Sequence, residues 1–112
     1  MLDKIKFLMK YFLHLVYKIF KNSYYDIMYY KYRQKYNIAK TFRFNGENIF
    51  LYGDGEIILG ENSYIGDYST IQAVKGQKII IGNNCWIGVN VFIKEGVIIG
   101  DNVVIGGGKC CC

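Results

Sequence analysis

From residue 56 onward the apolar positions neither alternate nor follow a helical spacing. Leu59, Ile65, Ile71, Ile81, Ile87, Ile93, Ile99 and Ile105 recur at steps of six, broken once by a ten-residue step between Ile71 and Ile81. A helix repeats every ~3.6 residues and a strand every ~2, so neither period alone produces this pattern. Short residues (Ser63, Ser69, Cys85, Val91, Val97, Val103) stand four places after the aliphatics. Between them fall Gly60-Glu61-Asn62, Gly82-Asn83-Asn84 and Gly100-Asp101-Asn102, which combine residue types that tolerate positive φ and therefore predict corners. Three phrases align: "EIILGENSYIG" from Glu56, "KIIIGNNCWIG" from Lys78 and "GVIIGDNVVIG" from Gly96, the first two 22 residues apart and the last two 18. A fixed repeat of short β runs and corners predicts a solenoid of stacked coils. With six residues per side and 18 per turn, each coil is a triangle with the aliphatics inside. The four additional residues of the longer step fall in "QAVKGQ", residues 72–77, and predict a surface loop.

The N-terminal part has a different period. Ile5, Leu8, Met9, Phe12, Leu15, Val16, Ile19 and Phe20 are spaced as one face of a helix over residues 3–21, with Lys4, Lys6, Lys10, Lys18 and Lys21 largely on the other. Asn22-Ser23 interrupts the pattern, and Ser23 with Asp26 three places on resembles a capping box, so a second helix is predicted from about Tyr24 to Tyr36. Residues 37–55 show no clear period; "NIFLYGDG" reads as an irregular first coil. The expected organisation is a basic amphipathic helical segment over 1–36, the solenoid over 37–108 and a Cys-rich tail over 109–112. Lys10 and Lys18 leave the first apolar stretch too short to span a bilayer, and no signal-type cleavage site follows it, which points to a cytoplasmic protein.

Composition and charge narrow the function. The 112 residues are 52% apolar, enough for one folded domain. Residues 1–43 hold ten Lys/Arg against two Asp, whereas residues 44–112 hold four Lys against seven Asp/Glu, so the basic character belongs to the N-terminal arm. The stretch "YYDIMYYKYRQKY" interleaves Tyr with Lys and Arg in a manner that could stack bases. Without a nucleic-acid-binding fold beside it, docking of these tyrosines on the solenoid, or of the first helix on an anionic membrane surface, is the better reading. Cys85 sits alone in the repeat, and Cys110, Cys111 and Cys112 are adjacent, a spacing that gives neither a disulfide framework nor a zinc pair. No metal is expected.

"IIIGNNCWIGVNVFIKEGVIIGDNVVIGGG" resembles the hexapeptide-repeat acyltransferases, over roughly residues 49–108. The resemblance implies a mainly β fold, a single-stranded left-handed parallel β-helix behind an N-terminal α-helical segment, a handedness outside the usual crossover rule. It also implies an acetyltransferase that moves an acetyl group from acetyl-CoA to a hydroxyl or amine of a sugar or polysaccharide precursor, working as a homotrimer. By motif, "CWIGVN" places Trp86, Gly88 and Val89 beside the acetyl-CoA groove and "VIGGG" places Gly106 and Gly107 further along it. Packing at a subunit interface is an equal reading for Trp86, and the glycines are first of all turn residues. Enzymes of the family use a histidine as general base, but His14, the sole histidine, falls on the polar face of the first helix, so no catalytic residue is assigned. Asp67, Glu95 and Asp101 occupy corner or turn positions. Related enzymes carry further coils where "IGNNC" here joins two phrases, which implies loss of coils between Ile71 and Trp86. The ending "KCCC" departs from the family's coenzyme-contacting end. A weak or inactive acyltransferase is one reading; a non-catalytic trimeric scaffold, or an adaptor at the inner face of a membrane, is the other.

Overall fold

The six-residue period closes into triangular coils because the residue at each corner can turn left-handed. In a computed structural model, which describes residues 1–112, the chain forms two units, residues 1–31 and 32–112. The second unit is a solenoid of four coils. Their strands are β1 (Asn37–Ile38), β2 (Arg43–Asn45) and β3 (Phe50–Tyr52); β4 (Glu56–Leu59), β5 (Tyr64–Gly66) and β6 (Thr70–Gln72); β7 (Lys78–Ile81), β8 (Trp86–Ile87) and β9 (Phe92–Ile93); β10 (Ile98–Ile99), β11 (Val104–Ile105) and β12 (Cys110–Cys111). Equivalent sides stack as three parallel sheets, A (β1-β4-β7-β10), B (β2-β5-β8-β11) and C (β3-β6-β9-β12).

The register lays like on like. Ile38, Leu59, Ile81 and Ile99 form one interior stack; Phe44, Ile65, Ile87 and Ile105 the second; Leu51, Ile71, Ile93 and Cys111 the third. The aliphatics spaced by six are buried except Ile105 in the last coil, which is half-buried. The short residues four places on also point inward, and three of them bind backbone. Ser63 Oγ donates to Gly82 O at 2.8 Å and accepts from Cys85 N at 2.9 Å; Ser69 Oγ donates to Gly88 O and accepts from Val91 N. Cys85 Sγ makes the corresponding contact to Gly100 O at 3.0 Å. Each small polar side chain thereby satisfies groups of the next coil that no ladder bond reaches.

Between sheets A and B asparagine takes the left-handed corner conformation, and Gly60, Gly82 and Gly100 beside it do not. Asn62, Asn84 and Asn102 have φ of 55°, 56° and 60° between sheets A and B; Asn48, Tyr68 and Asn90 do the same between B and C. Gly60 and Gly82 are required for a different reason: a Cβ on either would enter the backbone of the coil stacked next to it. The longer step opens, as its spacing predicts, into a loop over residues 73–77 between β6 and β7. The first coil, which shows no period in sequence, is nonetheless regular in pairing, with Phe42 and Ile49 fully buried inside it.

Two expectations are corrected. A single helix, α1 (Leu2–Lys35), replaces the two helices expected about Asn22-Ser23. Asn and Ser cost a helix interior only about 0.5 kcal/mol each, and with neither Gly nor Pro present the hydrogen-bond ladder continues through them. Residues 109–112 are not a tail beyond the solenoid, since Cys110–Cys111 pairs with Phe92–Ile93 as β12, and Cys110 is joined to Cys112 by a disulfide that spans only Cys111.

The last residues of α1, which belong to the solenoid unit, close its first coil. Arg33 donates through one guanidinium nitrogen to Ala39 O at 2.9 Å and through the other to Phe42 O; Tyr32 OH donates to Ile49 O at 3.2 Å and Tyr36 OH to Gly53 O at 2.7 Å. These carbonyls lie on the edge of the solenoid that no further coil covers, so the expected docking of tyrosines on the solenoid holds for Tyr32 and Tyr36. Lys35 lies 3.5 Å from Asp54, and its pKa is raised by Tyr36 first and Asp54 second. In the unit of residues 1–31 no helix residue is buried, and no helix is long and apolar enough to cross a membrane.

Candidate functional site

Sheet B and the corner that leads from it to sheet C bring the five expected coenzyme residues together. Along β8, Ile87 points into the prism and Trp86 outward, because successive strand residues face opposite sides. Trp86 is 54% exposed and stacks on Tyr64, its ladder partner from the coil before, with ring centroids 5.8 Å apart and planes 29° from parallel. Val104, exposed, continues the row on β11, and Arg43 begins it on β2. The outer face of sheet B is thus a flat strip with two stacked aromatics at its centre.

The corner beyond carries glycines at Gly88, Gly106 and Gly107. A Cβ on Gly88 would stand 2.7 Å from Gly107 N and 3.1 Å from Gly106 C, and one on Gly107 would stand 3.0 Å from Val89 O. Neither Gly88 nor Gly107 has a positive φ. Their lack of a side chain allows close stacking of coils, and Gly107 lies in the turn after β11 as expected. Gly106 has open space where a side chain would be. The corner is held by a ladder of its own, Tyr68 N donating to Glu47 O, Asn90 N to Asp67 O and Gly108 N to Val89 O. The result is a ledge of glycine backbone with the exposed Val89 on it.

Two of the acidic corner residues hold backbone amides. Asp67 Oδ1 accepts from Glu47 N and Asp101 Oδ1 from Asn83 N at 2.7 Å, so both pin corner amides of a neighbouring coil. Glu95, in the turn between β9 and β10, has one carboxylate oxygen buried without a hydrogen-bond partner, at the corner between sheets C and A and not at this ledge. His14 is exposed on α1, in the other unit. No group of three or more His, Cys, Asp or Glu side chains is placed to hold a metal ion.

A comparison with known families agrees with the coils. Residues 78–110 match the bacterial transferase hexapeptide model, which describes six repeats. Those residues are β7 through the first residue of β12, two consecutive triangular coils of six sides. Residues 78–110 are hexapeptide repeats. The solenoid is the left-handed parallel β-helix of that class, and such repeats are common in acyltransferases. No curated protein and no solved structure matches the chain.

Tyr64 is the member of the strip that motif matching overlooks. A signal for it existed: in "EIILGENSYIG" Tyr64 takes the place that Trp86 has in "KIIIGNNCWIG" and Val104 in "GVIIGDNVVIG". Residues in equal places of a solenoid repeat stack in space, so the alignment alone puts the two rings in contact.

Proposed function

We propose that this protein holds acetyl-CoA along the ledge formed by Gly88, Val89, Gly106 and Gly107, beside Trp86, and supports slow acetyl transfer to a hydroxyl or amine of a sugar or polysaccharide precursor. The observation that carries the reading is the convergence of these five residues on one edge, where bare backbone and an exposed indole meet. An extended thioester arm needs a flat surface it can approach without side-chain obstruction, and glycines provide it. The coenzyme supplies an acyl carbon activated by its thioester; the chain contributes position and backbone contacts to it. A homotrimer is consistent with the same surface, since hexapeptide solenoids commonly form trimers and Trp86, Val89 and Val104 stay exposed on sheet B and its corner in one chain.

Slow transfer follows from the residues present. A positioned general base contributes about 10²–10⁴-fold, and the single histidine of the chain lies in α1. That same fact favours the second reading, a non-catalytic trimeric scaffold. Release of free thiol from acetyl-CoA, measured with and without a sugar acceptor, separates the two. Acyl transfer predicts slow, acceptor-dependent release that His14→Ala leaves unchanged. Release at background whatever the acceptor supports the scaffold, and fast turnover abolished by His14→Ala contradicts both.

A further inference from the structure

The first twenty residues of α1 divide cleanly by side. At about 100° per residue, every position on an arc of about 160° from Leu15 to Leu13 is apolar, including Ile5, Phe12 and Phe20. All five lysines between residues 2 and 21, together with Asp3 and His14, fall on the remaining arc. Nothing covers the apolar arc, for no residue of α1 is buried and Phe12 and Phe20 are 64% and 70% exposed.

The width of the arc and the charge around it decide what covers it. A two-helix seam needs a stripe of a and d positions alone, narrower than the ≳ 100° face that packs on a protein core. An arc of about 160° instead suits a cylinder sunk to near half its depth in an interface, with lysines at the margin reaching back to headgroups. Residues 1–31 carry six Lys against two Asp, so the surface it fits is negative. Tyr11 and Tyr17 stand just outside the two margins, at the level where amphipathic rings favour the boundary of a bilayer. We infer that residues 2–21 bind an anionic lipid bilayer, lying along its surface with the apolar arc among the acyl chains. This stands apart from the acyl-transfer reading and survives its failure.

The test uses the whole chain and vesicles of phosphatidylcholine with or without phosphatidylglycerol, with bound protein separated by flotation. Binding is expected to require phosphatidylglycerol and to weaken about fivefold for each lysine close to the surface replaced by Gln. Phe12→Ser, within the arc, should weaken binding at least tenfold, whereas Phe7→Ser, outside it, should change binding less than twofold. An unchanged thermal melt shows that each variant keeps its solenoid. Equal effects of the two Phe substitutions overturn the inference, and so does absence of binding to phosphatidylglycerol vesicles. Self-association abolished by Phe12→Ser, with no vesicle binding, assigns the arc to a second copy instead and likewise overturns it.

Discussion

At the residue scale, corners and interior impose different demands, and single substitutions separate them. Tyr68, at φ 60°, occupies a left-handed position that its counterparts Asn48 and Asn90 fill in neighbouring coils. A left-handed conformation costs an ordinary L-residue about 1–2 kcal/mol, and Asn much less. Since Tyr68 is exposed and its ring adds little burial, Tyr68→Asn should stabilise the solenoid by about 0.5–1 kcal/mol, seen as a higher midpoint in denaturant. Gly88→Ala should destabilise by about 1–3 kcal/mol, because the new Cβ has backbone on the next coil to meet and nowhere to move. Gly106→Ala, with open space around its Cβ, should leave the melt unchanged and obstruct only a chain lying on the ledge. Ser63→Ala should cost about 1–3 kcal/mol, as it leaves the buried amide of Cys85 without an acceptor.

At the scale of elements, the end of α1 stabilises the solenoid without adding to its core. Arg33 satisfies two carbonyls of the first coil, so Arg33→Leu should lower stability by about 2–3 kcal/mol in equilibrium unfolding, and Tyr36→Phe by about 1 kcal/mol. Loss of neither side chain should alter the pairing of β4 through β12. What the sequence made legible also divides at this scale. From Glu56 onward each inward residue repeats at six, and strands, corners and the 73–77 loop followed from that spacing. The first coil was illegible because successive strands there are 20 or 21 residues from their partners and its interior is filled by Phe42, Phe44 and Ile49 in place of the regular Ile and short residue. The cap formed by Tyr32, Arg33 and Tyr36 leaves no periodic trace, since it depends on side chains meeting carbonyls brought near only by folding. Helix continuity through Asn22-Ser23 was missed because the same residues that cap a helix are only weakly unfavourable inside one.

At the scale of the whole molecule, three interior stacks run the length of the prism and join the coils into one cooperative body. Ile87, at the centre of one stack with Ile65 and Ile105 on either side, is fully buried, whereas Asn90 sits exposed at a corner. Ile87→Asp should cost several kcal/mol, through an unpaired carboxylate in an apolar stack, and Asn90→Asp almost nothing, as read by thermal unfolding. Assembly belongs to this scale too. Sedimentation at micromolar concentration should give a trimer, and a stable monomer there would contradict the proposed assembly.

The most direct measurement concerns the ledge itself, and the chain provides its own probe because Trp86 is its only tryptophan. Acetyl-CoA titrated into the intact protein should change the emission of Trp86 along a saturable curve, and Gly106→Ala should move the midpoint to several-fold higher concentration without altering the melt. Emission that stays constant as acetyl-CoA rises to millimolar concentration, in protein shown to be folded and trimeric, would contradict the account: the convergence of Trp86, Gly88, Val89, Gly106 and Gly107 would then serve coil stacking and subunit contact alone.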